Sequence, residues 1–505
     1  MTKRIIALVM ACLTTVAAAR SGHPAQENTY WPGDRWRSSP PEAQGMDSVV
    51  LADALEYIRV HRTRIHSLMI VRNGYVVLDA SFFPFQKDTL HDVASVTKSI
   101  TSTLIGIVIG DGRIRDVKQP VLSVFDDRRV QHRDDRKEQL TLEDLLTMSS
   151  GLDCTYSGGE RTLREMRASS DWVQFMLDRP MIATPGTKGE YCSGGMHLLS
   201  GVLTRATGTS ALEYARQRLF ERLGIREVAW PADSRGITHG WGDLHLRTDD
   251  MGKIGYLWLH GGRWKDQQIV PSAWMTAAIQ PHAHVLQGEY GYGLWVNRQR
   301  DPLVFEANGR GGQRISVVPT RNLVVAITGG AFEPGDVGAF ILKSIRSDAA
   351  LAENLAAARR LDALIAAAAL PPASNTATPL PVISRAISGK RYLLEDNPLG
   401  WRAVTFTFDH TDTAFARLEF ADGRVEGRPL GLDAVPRLSP DGRFGLPVAL
   451  QGSWEAPSTF VFDYDEVANI NSFLCRFTFD QGNAVVQVKE RSGEVDMTIR
   501  ATGGR

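Results

Sequence analysis

Between Asp348 and Pro381 this chain of 505 residues changes character, and that change limits the folds open to it. Asp348 to Leu370 is alanine-rich and helix-favouring, and it runs into Pro371-Pro372-Ala373-Ser374-Asn375-Thr376-Ala377-Thr378-Pro379-Leu380-Pro381, a composition suited to a linker. Before the break, from about Trp31 to Ser347, helical and strand-like stretches mix. After it, Val404 to Phe408, Ala414 to Phe420, Phe460 to Phe462, Phe473 to Phe479 and Ala484 to Lys489 cluster or alternate β-formers between glycine, asparagine and aspartate turns. That tail reads as an all-β domain, a small barrel or sandwich. The length exceeds one compact core. We therefore expect an α+β domain over 31–347, a helix and proline-rich linker over 348–385, and the all-β domain over 386–505. No period of roughly 20 to 50 residues repeats, which argues against a solenoid or propeller.

Within the first part, Leu68-Met69-Ile70-Val71 and Tyr75-Val76-Val77-Leu78 flank Arg72-Asn73-Gly74, a hairpin signal because Asn-Gly tolerates the positive φ of a tight turn. Ser95 to Ile109 carries apolar residues at helical spacing and meets a stop at Asp111-Gly112. Arg314 to Pro319 and Leu323 to Thr328, joined by Thr320-Arg321-Asn322, form a second hairpin signal. Strands stand at both ends of this part, and helices dominate between.

Lysine plus arginine equals aspartate plus glutamate at 57 each, so no global field favours nucleic acid or an anionic membrane. The first residues carry Lys3 and Arg4, an apolar run from Ile5, and Ala17-Ala18-Ala19, the pattern of an export signal cleaved near Ala19. The run is shorter than the ~20 residues a bilayer core requires, so no stable span is expected and the product is periplasmic or secreted. Lipid attachment at Cys12 is the minor variant, with Met10 a poor fit to that cleavage box. Of four cysteines, Cys12 leaves with the signal. An oxidising compartment permits Cys154 and Cys192 to pair with Cys475 left as a buried thiol; three unpaired buried cysteines are the alternative.

Ser95-Val96-Thr97-Lys98 is the one Ser-x-x-Lys of the chain, at the start of its first strongly helical segment. A spacing of three puts both side chains on one helix face, within reach of one another. The helix start also presents unpaired N–H groups and a positive dipole end, which suit a developing oxyanion. A lysine whose pKa burial has lowered can take the serine proton. Taken alone the motif is weak, because both residues are common.

Its context adds weight. Ala94 to Ile100, then Leu145-Leu146-Thr147-Met148-Ser149-Ser150-Gly151-Leu152, then Pro185-Gly186-Thr187 leading to Tyr191-Cys192-Ser193, in that order, resemble the serine beta-lactamase and penicillin-binding-protein superfamily. The likeness runs from about Pro41 to Ser347 and is greatest to the class C-like branch of esterases, D-amino-acid amidases and nylon-oligomer hydrolases. It implies a beta-lactamase-like domain, an antiparallel sheet flanked by helices plus an all-helical part. It also implies that Ser95 is the nucleophile, Lys98 its proton shuttle and Tyr191 the second member of the general-base pair. Ser193 stands where the family has asparagine, which puts beta-lactam side-chain recognition in doubt while leaving ester or amide chemistry intact. Ala307-Asn308-Gly309, ahead of Arg310-Gly311-Gly312-Gln313, aligns with the family's Lys-Thr-Gly or His-x-Gly element. The cation that would grip a carboxylate is missing there, with Arg310 beside it as a partial replacement. Gly309, Arg310 and Gly311 are then substrate-facing backbone, and the N–H of Arg310 joins that of Ser95 as oxyanion donor. A Cys154–Cys192 bond would fix the tyrosine loop. Trp241 either lines the pocket or packs.

No Gly-x-Ser-x-Gly, His-Glu-x-x-His or Gly-x-x-x-x-Gly-Lys-Ser/Thr motif is present, and His239 and His245 are spaced for no simple metal site. No metal and no cofactor is expected. The reading is an acyl-enzyme serine hydrolase for a small-molecule or peptide ester or amide. The competing reading is a non-catalytic cell-envelope binding or sensor protein, which the altered third element favours and the joint presence of Ser95, Lys98 and Tyr191 opposes.

Overall fold

A computed structural model describes residues 30–504 other than 34, 155–159, 287, 300, 333–334, 376–378, 398, 443–444 and 494. The segment expected to be an export signal and Cys12 lie outside the described residues. Among those described, no helix is long and apolar enough to cross a membrane.

After α1 (Ser48–His61), β1 (Ile65–Arg72) and β2 (Tyr75–Ser81) form the expected hairpin. Asn73 and Gly74 turn it at φ 51° and 83°, the left-handed region that this residue pair tolerates. The chain then runs through α2 (Val96–Gly110), α3 (Ser193–Thr207) and α4 (Thr248–Leu259). It returns to the sheet as β3 (Ala283–Val285), β4 (Gly288–Tyr290), β5 (Trp295–Asn297), β6 (Val304–Gly309), β7 (Gln313–Val318) and β8 (Leu323–Gly329). The sheet order is β2-β1-β8-β7-β6-β5-β4-β3, antiparallel throughout.

Side-chain alternation sorts the central strands into two cores. Leu68 and Ile70 of β1, with Val325 and Ile327 of β8, join Leu51, Leu55 and Ile58 of α1 and Ile341 of α5 (Gly335–Ser344). Met69 and Val71, with Val324 and Ala326, face the opposite way, into the core that holds α2 and Ile254 of α4. Because helices cover both faces, all eight residues of β1 are buried and its sequence reads as a continuous apolar run. α2 is buried from Val96 to Val108, as a helix must be when it lies between a sheet and a helical layer. α6 (Leu355–Ala368), the alanine-rich helix, sets Leu361 into the α1 core.

The carboxy-terminal strands close into a barrel rather than forming a sandwich. Of ten strands from Arg391 to Gly503, each pairs with the next in sequence except Val425–Gly431 with Arg437–Ser439; Arg391–Leu394 also pairs with Asp496–Gly503, and a parallel bridge from Gly431 to Gln451 of Val448–Ala456 shuts the ring. Alternate residues point inward. The Phe406 ring meets Phe460, Phe462 and Phe477 at 5.1, 5.4 and 5.1 Å, so aromatic side chains fill this part of the barrel interior. The barrel rests on the first part: Arg64 donates to Asp465 and Ser472 at 2.9 Å each. Phe85 is buried against Ala449, Val467 and Ala468.

Candidate active site

Ser95 caps the start of α2, and the turn that delivers it is strained. Ala94, just before it, has φ 47°, a conformation that costs a residue with a side chain of order 1–3 kcal/mol unless its surroundings impose it. Those surroundings are present: Asp92 Oδ1 accepts the Ala94 N–H at 2.8 Å, and the Val93 N–H donates to Leu244 O at 2.9 Å. A two-residue ribbon pairs His91 with Leu246 and Asp92 with His245.

Lys98 lies one turn along α2 with 1% of its surface exposed. Its Nζ donates to Ser95 Oγ at 2.7 Å and to Trp241 O at 2.8 Å. Burial pulls its pKa down to about 8, against the charges of Glu160 and Asp243, which act to raise it. Asp243 itself sits at φ 62° and is held below the ordinary carboxylate range. Burial pushes it up, but the hydrogen bond from His239 Nδ1 at 2.8 Å and the nearby cations outweigh that. His245 Nδ1 donates to Asp243 O at 2.9 Å, so both histidines brace this loop. Trp241 contributes its peptide carbonyl to Lys98, while its indole stacks 5.6 Å from the His239 ring.

Tyr191 is buried, and Lys98 Nζ stands 4.9 Å over its ring centroid. Trp295 of β5 stacks on Tyr191 at 6.1 Å, and Tyr290 of β4 meets it edge-on at 6.5 Å. A Cys154–Cys192 disulfide ties the next residue to the loop after Leu152, and Cys475 is a buried free thiol. Ser193 opens α3; its buried Oγ has no hydrogen-bond partner.

Gly309 ends β6 against the turn that delivers Ser95. A Cβ there would stand 2.5 Å from Val93 O and 3.1 Å from Ala94 Cβ, so only glycine lets the strand end approach this closely. Gly311 follows at φ 82°. The Arg310 side chain departs from the sequence expectation. Its guanidinium turns to the barrel, donating to Asn471 Oδ1 at 2.9 Å and to Ser492 Oγ, with Glu490 Oε1 at 3.7 Å. It is thus engaged by the barrel, not held out as the replacement cation for a substrate carboxylate.

Ser95, Lys98 and Tyr191 come together, and Gly309 abuts the same turn. Glu160, Asp243 and Trp295 escaped the sequence reading, and Asn308 entered it only as the middle residue of the third element. Asn308 Oδ1 is buried without a partner at the centre of the third element, whose alignment was the one sequence signal for it. Glu160 and Asp243 act on Lys98 across sequence separations that carry no periodic signal.

Comparison with known proteins gives the family. The family model described as Beta-lactamase matches residues 42–340. The 6-aminohexanoate-dimer hydrolase of Paenarthrobacter ureafaciens is 26% identical over 234 residues, which are 44% of this chain and 58% of that protein. The monacolin J acid methylbutanoyltransferase of Aspergillus terreus is 28% identical over 170 residues, 30% of this chain and 40% of that protein. The chain thus spans about half the length of these curated relatives. The solved structure of EstCE1, a hydrolase with promiscuous acyltransferase activity, covers 59% of this chain and 99% of its own at a TM-score of 0.50 and 14% identity, a likeness of fold. With the family match extending over more than half its length, the chain belongs to the beta-lactamase family.

Proposed function

We propose that this protein is an exported serine hydrolase that cleaves an ester or amide through an acyl-enzyme on Ser95. The observation that carries the reading is the buried Lys98 amine, 2.7 Å from Ser95 Oγ with a pKa near 8. At that value roughly a tenth of the amine is neutral at pH 7, against about 0.03% for an ordinary lysine, which makes it a competent proton acceptor. Ser95 Oγ attacks the carbonyl carbon and its proton passes to Lys98 Nζ, with Tyr191 the second member of the relay. The N–H groups of Ser95 and Arg310 receive the oxyanion. The tetrahedral adduct collapses, the leaving alkoxide or amine takes a proton from the relay, and water then attacks the acyl-serine by the same steps.

The sequence relatives, a dimer hydrolase and a methylbutanoyltransferase, support acyl transfer as the common chemistry. Ala307 brings no charge to the third element and Arg310 is engaged by the barrel, which favours substrates without a carboxylate at that point over beta-lactams. The Cys154–Cys192 disulfide supports an oxidising compartment. Intact-mass spectrometry after exposure to a fluorophosphonate and, separately, to a penicillin tests the proposal. A fluorophosphonate adduct on Ser95, absent from a folded Ser95→Ala variant, is expected. Equal labelling of that variant refutes Ser95, and no adduct from either reagent shifts the reading to a non-catalytic binder.

A further inference from the structure

We propose that the carboxy-terminal barrel is a working part of the site, its loop Val467–Asn471 and Ser492 holding both backbone turns that flank Ser95. The inference rests on the reading of Ser95 as the nucleophile.

On one side, the Asp92 N–H donates to Ala468 O at 2.9 Å. The same aspartate accepts the N–H of Ala94 at 2.8 Å, so two hydrogen bonds lead from the barrel backbone to the residue whose left-handed conformation aims Ser95. Such a conformation persists only when its surroundings over-determine it, and the barrel supplies one of those constraints. On the other side, the turn Arg310–Gly312 is gripped through Arg310. Asn471 Oδ1 takes one guanidinium nitrogen at 2.9 Å and Ser492 Oγ takes the other, while Ser492 donates in turn to Glu490 Oε2 at 2.5 Å. Asn471 is braced by its own Nδ2 donating to Glu466 Oε2 at 3.3 Å. Ile470 closes the space behind: a Cβ on Gly311 would stand 2.5 Å from its Cγ2. Residues 309–312 are therefore pressed between the nucleophile turn, which Gly309 touches, and the barrel loop, which Gly311 touches.

Val467, Ala468, Asn469 and Ile470 are all at or below 3% exposure, so the loop is seated in the first part of the chain rather than laid on its surface. The ion pair of Arg64 with Asp465 and the apolar contact at Phe85 attach the barrel away from these turns. The additional contacts fall on the two turns whose separation sets the distance between the two proposed oxyanion donors. Arg310 is in this account a positioning residue: it carries no charge to substrate and acts through the backbone it anchors.

The test uses the full chain with the double variant Asn471→Ala/Ser492→Ala, reading the rate of fluorophosphonate labelling at Ser95 and kcat and KM on a p-nitrophenyl ester. Labelling rate and kcat should fall about tenfold to hundredfold, as for a misplacement of the reacting groups by about 1 Å, with KM changing far less. Asn471→Gln/Ser492→Thr, which keeps an amide and a hydroxyl for the guanidinium and for Glu466, should restore most of the rate. Arg476→Ala, which removes an exposed barrel ion pair with Glu455, should change nothing. Should the double variant not fold, Arg310→Gln releases the same contacts from the other side and must give the same loss. Parent-like labelling and kcat in either overturn this inference alone. A parent that is not labelled at Ser95 overturns it together with the proposed function.

Discussion

Charge removal at Glu160 tests the electrostatics of the site most directly. Lys98 must be neutral to accept a proton, so kcat/KM should rise with pH along the titration of a group with pKa about 8. The neutral fraction is about 1% at pH 6, about 9% at pH 7 and about half at pH 8, so activity should climb roughly fiftyfold between pH 6 and pH 8 and level above pH 9. Burial sets that value and Glu160 is the foremost charge opposing it, because a carboxylate favours the ammonium form. Glu160→Gln keeps the shape and removes the charge. The ammonium loses support, its pKa falls, and the rising limb moves to lower pH. A shift of roughly half a unit would raise kcat/KM about threefold at pH 7 and leave the plateau above pH 9 unchanged. The assay is ester turnover from pH 5.5 to 10 on both proteins. A profile flat over that range removes Lys98 from the proton relay. A limb that moves to higher pH in Glu160→Gln refutes the electrostatic argument even where the relay survives.

Two further outcomes follow from the same geometry. Lys98→Met should abolish labelling yet raise Tm at pH 7: the lysine is pulled from an unfolded value near 10.4 to about 8 in the folded protein, so folding pays on the order of 1–3 kcal/mol below pH 8, a cost that fades towards pH 10. Thermal melts at both pH values check this, and a Tm lowered at both refutes it. Gly309→Ala should cost about 1–3 kcal/mol of stability and on the order of a hundredfold in kcat, because its methyl group meets Val93 O at 2.5 Å and the turn that delivers Ser95 must yield; steady-state kinetics with parent-like rates would refute it.

Much of the fold was readable where a local rule sufficed. Asn73-Gly74 announced its hairpin because few residue pairs accept two positive φ angles in succession. The alternation in Ala414–Phe420 and Phe473–Phe479 marked strands with one buried face, and both are strands of the barrel. Val425–Gly431 and Val448–Ala456 went unread because glycine and proline interrupt their patterns. Barrel against sandwich was undecidable from these segments: the closing bridge from Gly431 to Gln451 is a single non-local pairing. In the site, the three-residue spacing of Ser95 and Lys98 was enough to place them on one face. Their other partners were not legible in that way. The carbonyl of Trp241 reaches Lys98 across 143 residues, and the residue drew notice only for its ring.

What the sequence by itself determined is therefore what depends on neighbours within a turn or two: the helix that carries Ser95 and Lys98 together, the hairpins, the β character of the tail, and motifs whose order points to the family. Tertiary structure alone decided that Lys98 is buried, that Glu160 and Asp243 bear on it, and that the Arg310 guanidinium serves the barrel instead of a substrate carboxylate. The reason is physical. Periodicity and dihedral preference act over a few residues, whereas desolvation and charge interactions depend on which distant segments are brought within a few ångströms once the chain has closed around its cores.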